Sequence, residues 1–556
     1  MTNSLEEGEP LNATLPFQRW LTDEIKKANE IKTETPIMCI IGNPPYLGEG
    51  GKSEGWIGNL MDDYKKEPGG KVRLNERNPK WLNDLYVKFI RMSSHLIEKN
   101  GEGVLGFITN HGYLDNPTFR GMRWHLLNTF DKIFILDLHG NSQKKELPPE
   151  AERDVNLFDI KPGTSIIIAV KKRGQKVAIE DKQLLRRDFF GNRQSKQDRL
   201  VSATLSPYED WRVIPIKGSK YYFRDWDYDK EPKWEEGFRV TDLMPISSNG
   251  IVTGKDKKVI APTIDQLKLQ VEEHFGDFDP NLVQPIAYRQ FEVSYIYNDE
   301  SIIERSRNEV MKHYSSGQNM GFLVSKQVRD YRFSHIFPTL QQSEAIFLSG
   351  TTATNANNIP LYIFEDTDGS KRPNFDTKLH KKILKLATSS ERGAPSPEDI
   401  FDYIYAVLHC PAYRETYAEF LKIDFPRIPW PSTPQIFWEL ASQGNELRRL
   451  HLMEPSAIGD TTAHVFDGTG DGVVDKPEHR EGHVWVNATQ SFAAVPEAAW
   501  NAYIGGYQPA QKWLKDRQGR TLGFDDIRHY QSIIKILTET DRIMSGIEMD
   551  VTVSQS

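Results

Sequence analysis

Two cysteines in 556 residues exclude a disulfide framework. Cys39 and Cys410 lie far apart, each in an apolar context that predicts a buried free thiol, and a reducing cytoplasm fits that usage. No apolar run approaches the ~20 residues needed to cross a bilayer. The N-terminus is acidic and polar, which is not the pattern of a signal peptide. Positive charge is not in excess either. The formal net charge is −8, so a nucleic-acid partner requires local basic clusters. No G-x-x-x-x-G-K-[ST] loop occurs, so these residues hold no P-loop motor. No nuclease cluster is evident. The histidines are scattered without metal-ligand spacing, which assigns no zinc and no other metal.

What is present is a chain with 27% charged and 38% hydrophobic residues, the balance of a globular protein. Its length predicts about three to four domains. The most informative stretch is Asn43-Pro44-Pro45-Tyr46. It comes after the apolar run Ile37-Met38-Cys39-Ile40-Ile41 with Gly42 between, which reads as a buried strand ending in a tight turn. The four residues suit one task, gripping a planar amino group. Asn43 offers a side-chain carbonyl and Pro44 a backbone carbonyl, both acceptors. The two prolines, Pro44 and Pro45, stiffen the loop so that the acceptors can converge. Tyr46 supplies a flat ring for stacking. Together these hold an exocyclic amine on a base turned out of its stack.

The tetrapeptide resembles the catalytic motif of amino-methyltransferases, and the residues after it sharpen the likeness. A helical segment opens at Asp84-Leu85-Tyr86. A strand with a polar end runs through Gly103–Asn110, with Tyr113-Leu114 and Phe119–Leu127 behind it. Ile133–Leu138 comes next, then Leu157-Phe158 ahead of Thr164–Val170. In order and spacing, residues 1–175 resemble the second half of a gamma-class DNA adenine-N6 methyltransferase. Further on, Trp211, Tyr221-Tyr222-Phe223, Gly250–Asp256, Tyr288-Arg289-Gln290-Phe291 and Met311-Lys312-His313 resemble the target-recognition region of type ISP restriction-modification enzymes. So do Asp424–Pro429, Ile504-Gly505-Gly506-Tyr507-Gln508 and Lys512–Arg517. Those enzymes join nuclease, translocase, methyltransferase and recognition parts in one polypeptide.

The resemblance implies S-adenosylmethionine as the methyl donor, held by a Gly-rich turn upstream of the catalytic motif. That turn and its acidic ribose partner are not in this sequence. The pairs Gly48/Gly50, Gly101/Gly103 and Gly468/Gly470 do not follow a first strand and open a helix. The segment Leu5–Glu9 resembles the stretch just before the motif in the family. The chain is therefore expected to be the C-terminal part of a larger enzyme, completed by an N-terminal methyltransferase half or by a translocase or nuclease subunit. The expected fold is α/β, an incomplete doubly wound sheet lacking its N-terminal half. Mixed α+β recognition and C-terminal domains come after it. The expected divisions are 1–180, 181–435 and 436–556.

Along the chain, residues 47–79 form a Gly- and Lys-rich stretch without periodicity, expected as a mobile loop able to close over DNA. Residues 180–205 read as a charged linker. A Lys/Glu-rich helical part is expected around 299–313, a strand at 361–364 and helices through 375–422. Pro395-Ser396-Pro397 marks a helix start. Two basic clusters stand out, Lys171-Lys172-Arg173 with Lys176, and Arg186-Arg187 with Arg193, Lys196 and Arg199. They read equally as a solvated surface or as a clamp on the DNA backbone.

Each candidate site residue has a plainer alternative. By resemblance, Phe158 stacks on the face of the base opposite Tyr46; a lone Phe before a strand is also ordinary core. Asp84 matches the family's polar residue after the motif, or is a helix N-cap. Lys255, Arg289 and Lys312 are candidates for DNA contact, or surface ion pairs. The Gly505-Gly506 turn reads as structural. Asp467–Glu478 fits a calcium-loop pattern, but its flanks are β-like rather than helical, which argues against it.

Three functions compete. One is an adenine-specific DNA methyltransferase acting with a cofactor-binding half on double-stranded DNA. Another is a recognition module, or a truncated relic, without chemistry of its own. The third, a methyltransferase of protein glutamine or of RNA, fits poorly with so long a recognition-like sequence.

Overall fold

The computed structural model describes residues 5–6, 27–32, 34–46, 54–76, 79–142, 144, 154–174, 177–202, 210–315, 317–350, 352, 354–365 and 370–550. It is a mixed α/β protein with several sheets, divided into Met1–Tyr228 and Asp229–Ser556.

The first unit is built on a six-stranded sheet. Its strands are β1 (Cys39–Gly42), β2 (Gly103–Asn110), β3 (Lys132–His139), β4 (Thr164–Lys171), β5 (Gln183–Asp188) and β6 (Arg212–Val213), in spatial order β1-β2-β4-β3-β5-β6. β1 is parallel to β2 and β3 to β5, while β4 runs antiparallel between β2 and β3. β-branched and aromatic residues are frequent in β2, β3 and β4, which favours strands there, and alternation decides which face each residue serves. Leu105, Phe107, Ile167, Ala169, Ile133 and Ile135 fill one face. Over it pack Val87, Ile90 and Ile97 of α2 (Leu85–Asn100) and Met122 and Leu126 of α3 (Arg120–Thr129). α2 ends at Gly101, whose φ of 80° is the left-handed conformation that closes a helix at low cost.

Several expectations are corrected here. Cys410 is buried, but Cys39 is exposed, and Ile41 is 81% exposed. Among the described residues β1 pairs only with β2, so the strand is half covered rather than buried. Ile40 packs on the core, and alternation turns Cys39 and Ile41 the other way. The stretch expected to be a mobile loop is ordered over residues 54–76. It contains the helix α1 (Gly55–Met61), with Met61 and Tyr64 fully buried. Arg120 ties it down through Glu67 at 2.6 Å and Glu76 at 2.7 Å. The supposed linker at 180–205 holds β5 and the helix α4 (Arg193–Ser202), and Arg186 and Lys196 of its basic cluster are buried. Charge made this stretch read as surface, yet each buried cation has carboxylate partners. Asp84 stands at the N-cap of α2 but makes no capping bond.

The second unit has smaller sheets. Val283–Arg289 and Glu292–Tyr297 form a hairpin that pairs with Ile260–Ala261. A four-stranded sheet combines Ser248–Asn249, Gly321–Val324, Ile336–Thr339 and Asn357–Pro360. The strand expected near 361–364 is Tyr362–Phe364. α5 (Pro397–His409) starts at Ser396 with a full capping box, as Pro-Ser-Pro indicated. It packs on α6 (Pro434–His451), where Arg448 meets Asp402 at 2.6 Å. The helix expected over 299–313 shrinks to Asn308–Met311 and a 3-10 turn, because Arg307 lies in left-handed conformation and breaks continuity. The calcium-like stretch lies between the strands Phe466–Gly468 and Glu478–Arg480, with no flanking helices. Among the described residues no helix is long and apolar enough to cross a membrane.

Candidate functional site

The parallel strands β1, β2 and β3 end on one edge of the sheet, and the polar residues gather there. Asn43 and Pro45 are exposed and Pro44 is buried. Tyr46 is half-buried. Its ring packs against the core and meets Tyr86 edge-on, with centroids 6.0 Å apart. Its hydroxyl lies 3.0 Å from the Asn43 side-chain oxygen and 3.0 Å from the Ile108 carbonyl at the end of β2. Burial pushes the Tyr46 phenol up to about 12, so it stays a protonated donor at neutral pH. A carbonyl oxygen carries two lone pairs, so Asn43 can accept from Tyr46 and still accept once more. No described residue donates to the Pro44 carbonyl. The arrangement offers two acceptors on a stiff loop, with one of them oriented by a tyrosine.

Phe158 sits in the excursion between β3 and β4 and is half-exposed. Its N–H donates to the Asn156 side chain at 2.9 Å, a turn that fixes where the residue emerges. Gly163 closes the excursion, with its carbonyl accepting from the His111 N–H at 3.0 Å. The loop and Tyr46 are thus anchored on the same stretch, Ile108–His111.

Sequence reasoning missed the ionic network at this edge. Asp137 accepts from His111 Nδ1 at 3.1 Å and from Arg186 at 2.7 Å. His139 Nε2 meets Asp188 at 2.8 Å, and its ring stacks on Phe190 with centroids 3.8 Å apart. These contacts hold His139 in left-handed conformation, φ 49°, at a bulge in β3. Burial disfavours charge on Asp137, yet His139, His111 and Arg186 hold its carboxyl well below the usual carboxylate range. Asp188 is lowered to about 2, against burial, by His139 and Arg186. A cavity of about 80 Å³ opens beside Asp115, Lys144 and Arg224. Ligand atoms of His111, Asp137 and His139 lie within 4.8 Å of one another, a grouping that spacing along the chain did not suggest. Arg186 already bridges Asp137 and Asp188, so positive charge there comes from the protein itself. The alternation of β3 could have placed Asp137 and His139 on one side; nothing in the sequence brings Arg186 to them.

In the second unit, half-exposed Arg289 carries its guanidinium 4.0 Å from the Tyr288 ring and 5.8 Å from the Tyr507 ring. The Lys255 ammonium donates to the Ile302 carbonyl at 3.2 Å, and neighbouring Asp256 accepts from the Tyr288 hydroxyl at 3.3 Å. Lys255 and Arg289 are therefore on adjoining segments. Lys312 is half-buried in the 3-10 turn, apart from them in these contacts. The Gly505-Gly506 turn is internal: Gly505 N–H donates to Ser334 at 2.7 Å and Gly506 N–H to Leu348 at 2.7 Å.

Comparison with known proteins finds one family match within each unit. Residues 266–546 match the family described as the type ISP C-terminal specificity domain, and residues 13–143 match the Eco57I restriction-modification methylase. Among solved structures, the ATP-dependent type ISP restriction-modification enzyme LlaBIII bound to DNA is similar at 20% identity and TM-score 0.76, over 99% of this chain and 39% of that one. A DrdV–DNA complex is similar at 21% identity and TM-score 0.73, over 95% and 58%. A nuclease-deletion mutant of the type ISP enzyme LlaGI with a DNA substrate mimic is similar at 19% and 0.70, over 98% and 47%. The chain therefore spans less than two thirds of each of these similar proteins, and the likeness is one of fold. No curated protein matches.

Proposed function

The chain belongs to the family defined by the type ISP C-terminal specificity domain, and from that premise we propose that it is the base-gripping and recognition part of a site-specific DNA adenine-N6 methyltransferase in a restriction-modification system. The carrying observation is the Asn43–Tyr46 hydrogen bond at the carboxyl end of β1. Asn43 and the Pro44 carbonyl accept from the adenine N6–H2, which favours an sp3-like nitrogen with its lone pair directed away from the ring plane. Tyr46 and Phe158 flank the base, and base–aromatic stacking contributes roughly 1–3 kcal/mol per base.

In this reading residues 1–180 form the catalytic part, residues 181–435 the recognition region and residues 436–556 the associated specificity domain. The sheet is the C-terminal half of a doubly wound methyltransferase sheet. The position of β1 at its edge among the described residues supports that, as do the Met38, Cys39 and Ile41 side chains left exposed there. Lys255, Arg289 and Lys312 contact double-stranded DNA. Among the described residues no Gly-rich turn follows a first strand and opens a helix, so none of them is assigned to the nucleoside of S-adenosylmethionine. The cofactor half comes from an N-terminal portion or from a translocase or nuclease subunit, and the assembly works in the cytoplasm.

Binding of radiolabelled S-adenosylmethionine and methyl transfer to mixed-sequence duplex DNA test the proposal. Both are measured for this chain alone and with a polypeptide supplying the Gly-rich half. Transfer only with the second polypeptide, lost in Asn43→Ala with DNA binding retained, is the expected result. Micromolar cofactor binding by the chain alone would overturn the missing-half reading. DNA binding without transfer in either mixture would favour a second reading, a non-catalytic recognition module, which the missing Gly-rich turn favours.

A further inference from the structure

A lysine with no exposed surface is an unusual feature of a charge-rich helix. Lys196 of α4 is such a residue. An ammonium has three N–H donors, and here each finds an acceptor. They are Asp154 Oδ1 at 2.6 Å, the Leu138 carbonyl at 2.7 Å and the Val155 carbonyl at 2.7 Å. Asp154 in turn accepts from Gly140 N–H at 2.6 Å and Gly191 N–H at 3.0 Å. The Val155 N–H donates to the Gly191 carbonyl at 3.0 Å.

One ion pair therefore ties together the end of β3, the start of the 154–163 loop and the turn before α4. The approach is close enough to require glycine at 140. Its φ is 73°, and a Cβ there would lie 2.4 Å from the Asn156 Cα. From this knot the loop is built in one direction. Asn156 accepts from Phe158 N–H and donates to the Pro162 carbonyl at 2.7 Å. Leu157 packs inward beside Leu136, Leu138 and Phe189, while Phe158 stays half-exposed.

We infer that Lys196, through Asp154 and Asn156, is a positioning residue that sets Phe158 for stacking on the turned-out base; this rests on the reading of Phe158 given above. Lys196 touches no substrate. It fixes the backbone on which the aromatic ring stands, so the ring loses little ordering entropy when a base arrives. A buried lysine is costly unless fully paired, and its pairing here joins the loop to the end of β3.

The test uses the full chain, Lys196→Met, Phe158→Ala and the double variant. Asn156→Ala is a second route to the same loop should Lys196→Met fail to fold. Hydrogen exchange is read over residues 154–163 against the strands β2 and β4. Binding is read by the fluorescence of 2-aminopurine placed opposite an abasic site in duplex DNA. The expected results are at least tenfold faster exchange confined to the loop and base binding roughly 5- to 150-fold weaker, the range that losing one stack gives. The double variant should be no weaker than Phe158→Ala alone. Unchanged loop exchange, or additive losses in the double variant, would overturn the positioning role. If Phe158→Ala binds the probe like the parent, or the parent does not bind it, the stacking reading itself fails and takes the inference with it.

Discussion

The Tyr46 hydroxyl faces two acceptors at the same 3.0 Å distance, the Asn43 side chain and the Ile108 carbonyl. A hydroxyl has one hydrogen, so it serves one of them at a time. Pointing to Asn43 it fixes the amide; pointing to Ile108 it leaves both lone pairs of the Asn43 side-chain oxygen open to another donor. Tyr46 is thus a switchable support for Asn43 as well as a ring.

Tyr46→Phe separates these roles. The ring stays and the hydroxyl goes, so kcat/KM in the reconstituted methyl-transfer reaction should fall by about 2- to 13-fold, the worth of one neutral hydrogen bond. Tyr46→Ala should fall further by the lost stack. Equal rates for Tyr46→Phe and the parent would leave the hydroxyl without a role.

Arg289 lies near the rings of Tyr288 and Tyr507 and donates to the Tyr288 carbonyl at 2.6 Å, with no carboxylate in an ion pair with it among the described residues, so its planar guanidinium is preorganised. Arg289→Ala should weaken specific DNA binding by about 1–3 kcal/mol. If it reads a base, site selection from a random pool relaxes at one position. If it meets phosphate, sequence preference is kept and the salt dependence drops by about one contact. Unchanged affinity at low salt would remove Arg289 from the interface.

Glu344 carries a pH signature. Burial, with Asp256 adding to it and the Ile346 N–H opposing, pushes its carboxyl up from 4.5 to about 7. The folded state therefore keeps a proton that the unfolded chain releases, between about pH 4.5 and 7. Stability is highest below that window, falls as pH rises through it and is flat above. Glu344→Gln should remove this slope and stabilise the protein at pH 8 relative to the parent, by on the order of 3 kcal/mol at most. Urea midpoints at acid and alkaline pH check it; parallel pH profiles would show that the carboxyl is not shifted.

Gly444 lets α5 and α6 touch. A Cβ there would lie 1.8 Å from the Asp402 carbonyl oxygen, which belongs to backbone and cannot turn aside. Gly444→Ala should destabilise the second unit by about 1–3 kcal/mol or more, despite alanine's better helix propensity. Thermal unfolding measures it. A higher melting temperature would mean that the helices separate at little cost.

Legibility in the sequence tracks the range over which each residue's environment is set. The Asn-Pro-Pro-Tyr loop, β2, β3, β4 and the start of α5 depend on local chemistry: alternation, proline stiffness and a capping serine act within a few residues. The sequence alone therefore determined where the Asn-Pro-Pro-Tyr loop lies and which family it resembles. It could not tell that Cys39 and Ile41 stay exposed, because coverage of a strand depends on its neighbours across the sheet. Nor could it tell that Arg186 and Lys196 lie inside. A charge run looks solvated until distant carboxylates, Asp137 and Asp154, are brought to it. Tertiary structure decided these points, since burial and ion pairing are set by contacts between residues far apart in the chain, which no local pattern encodes.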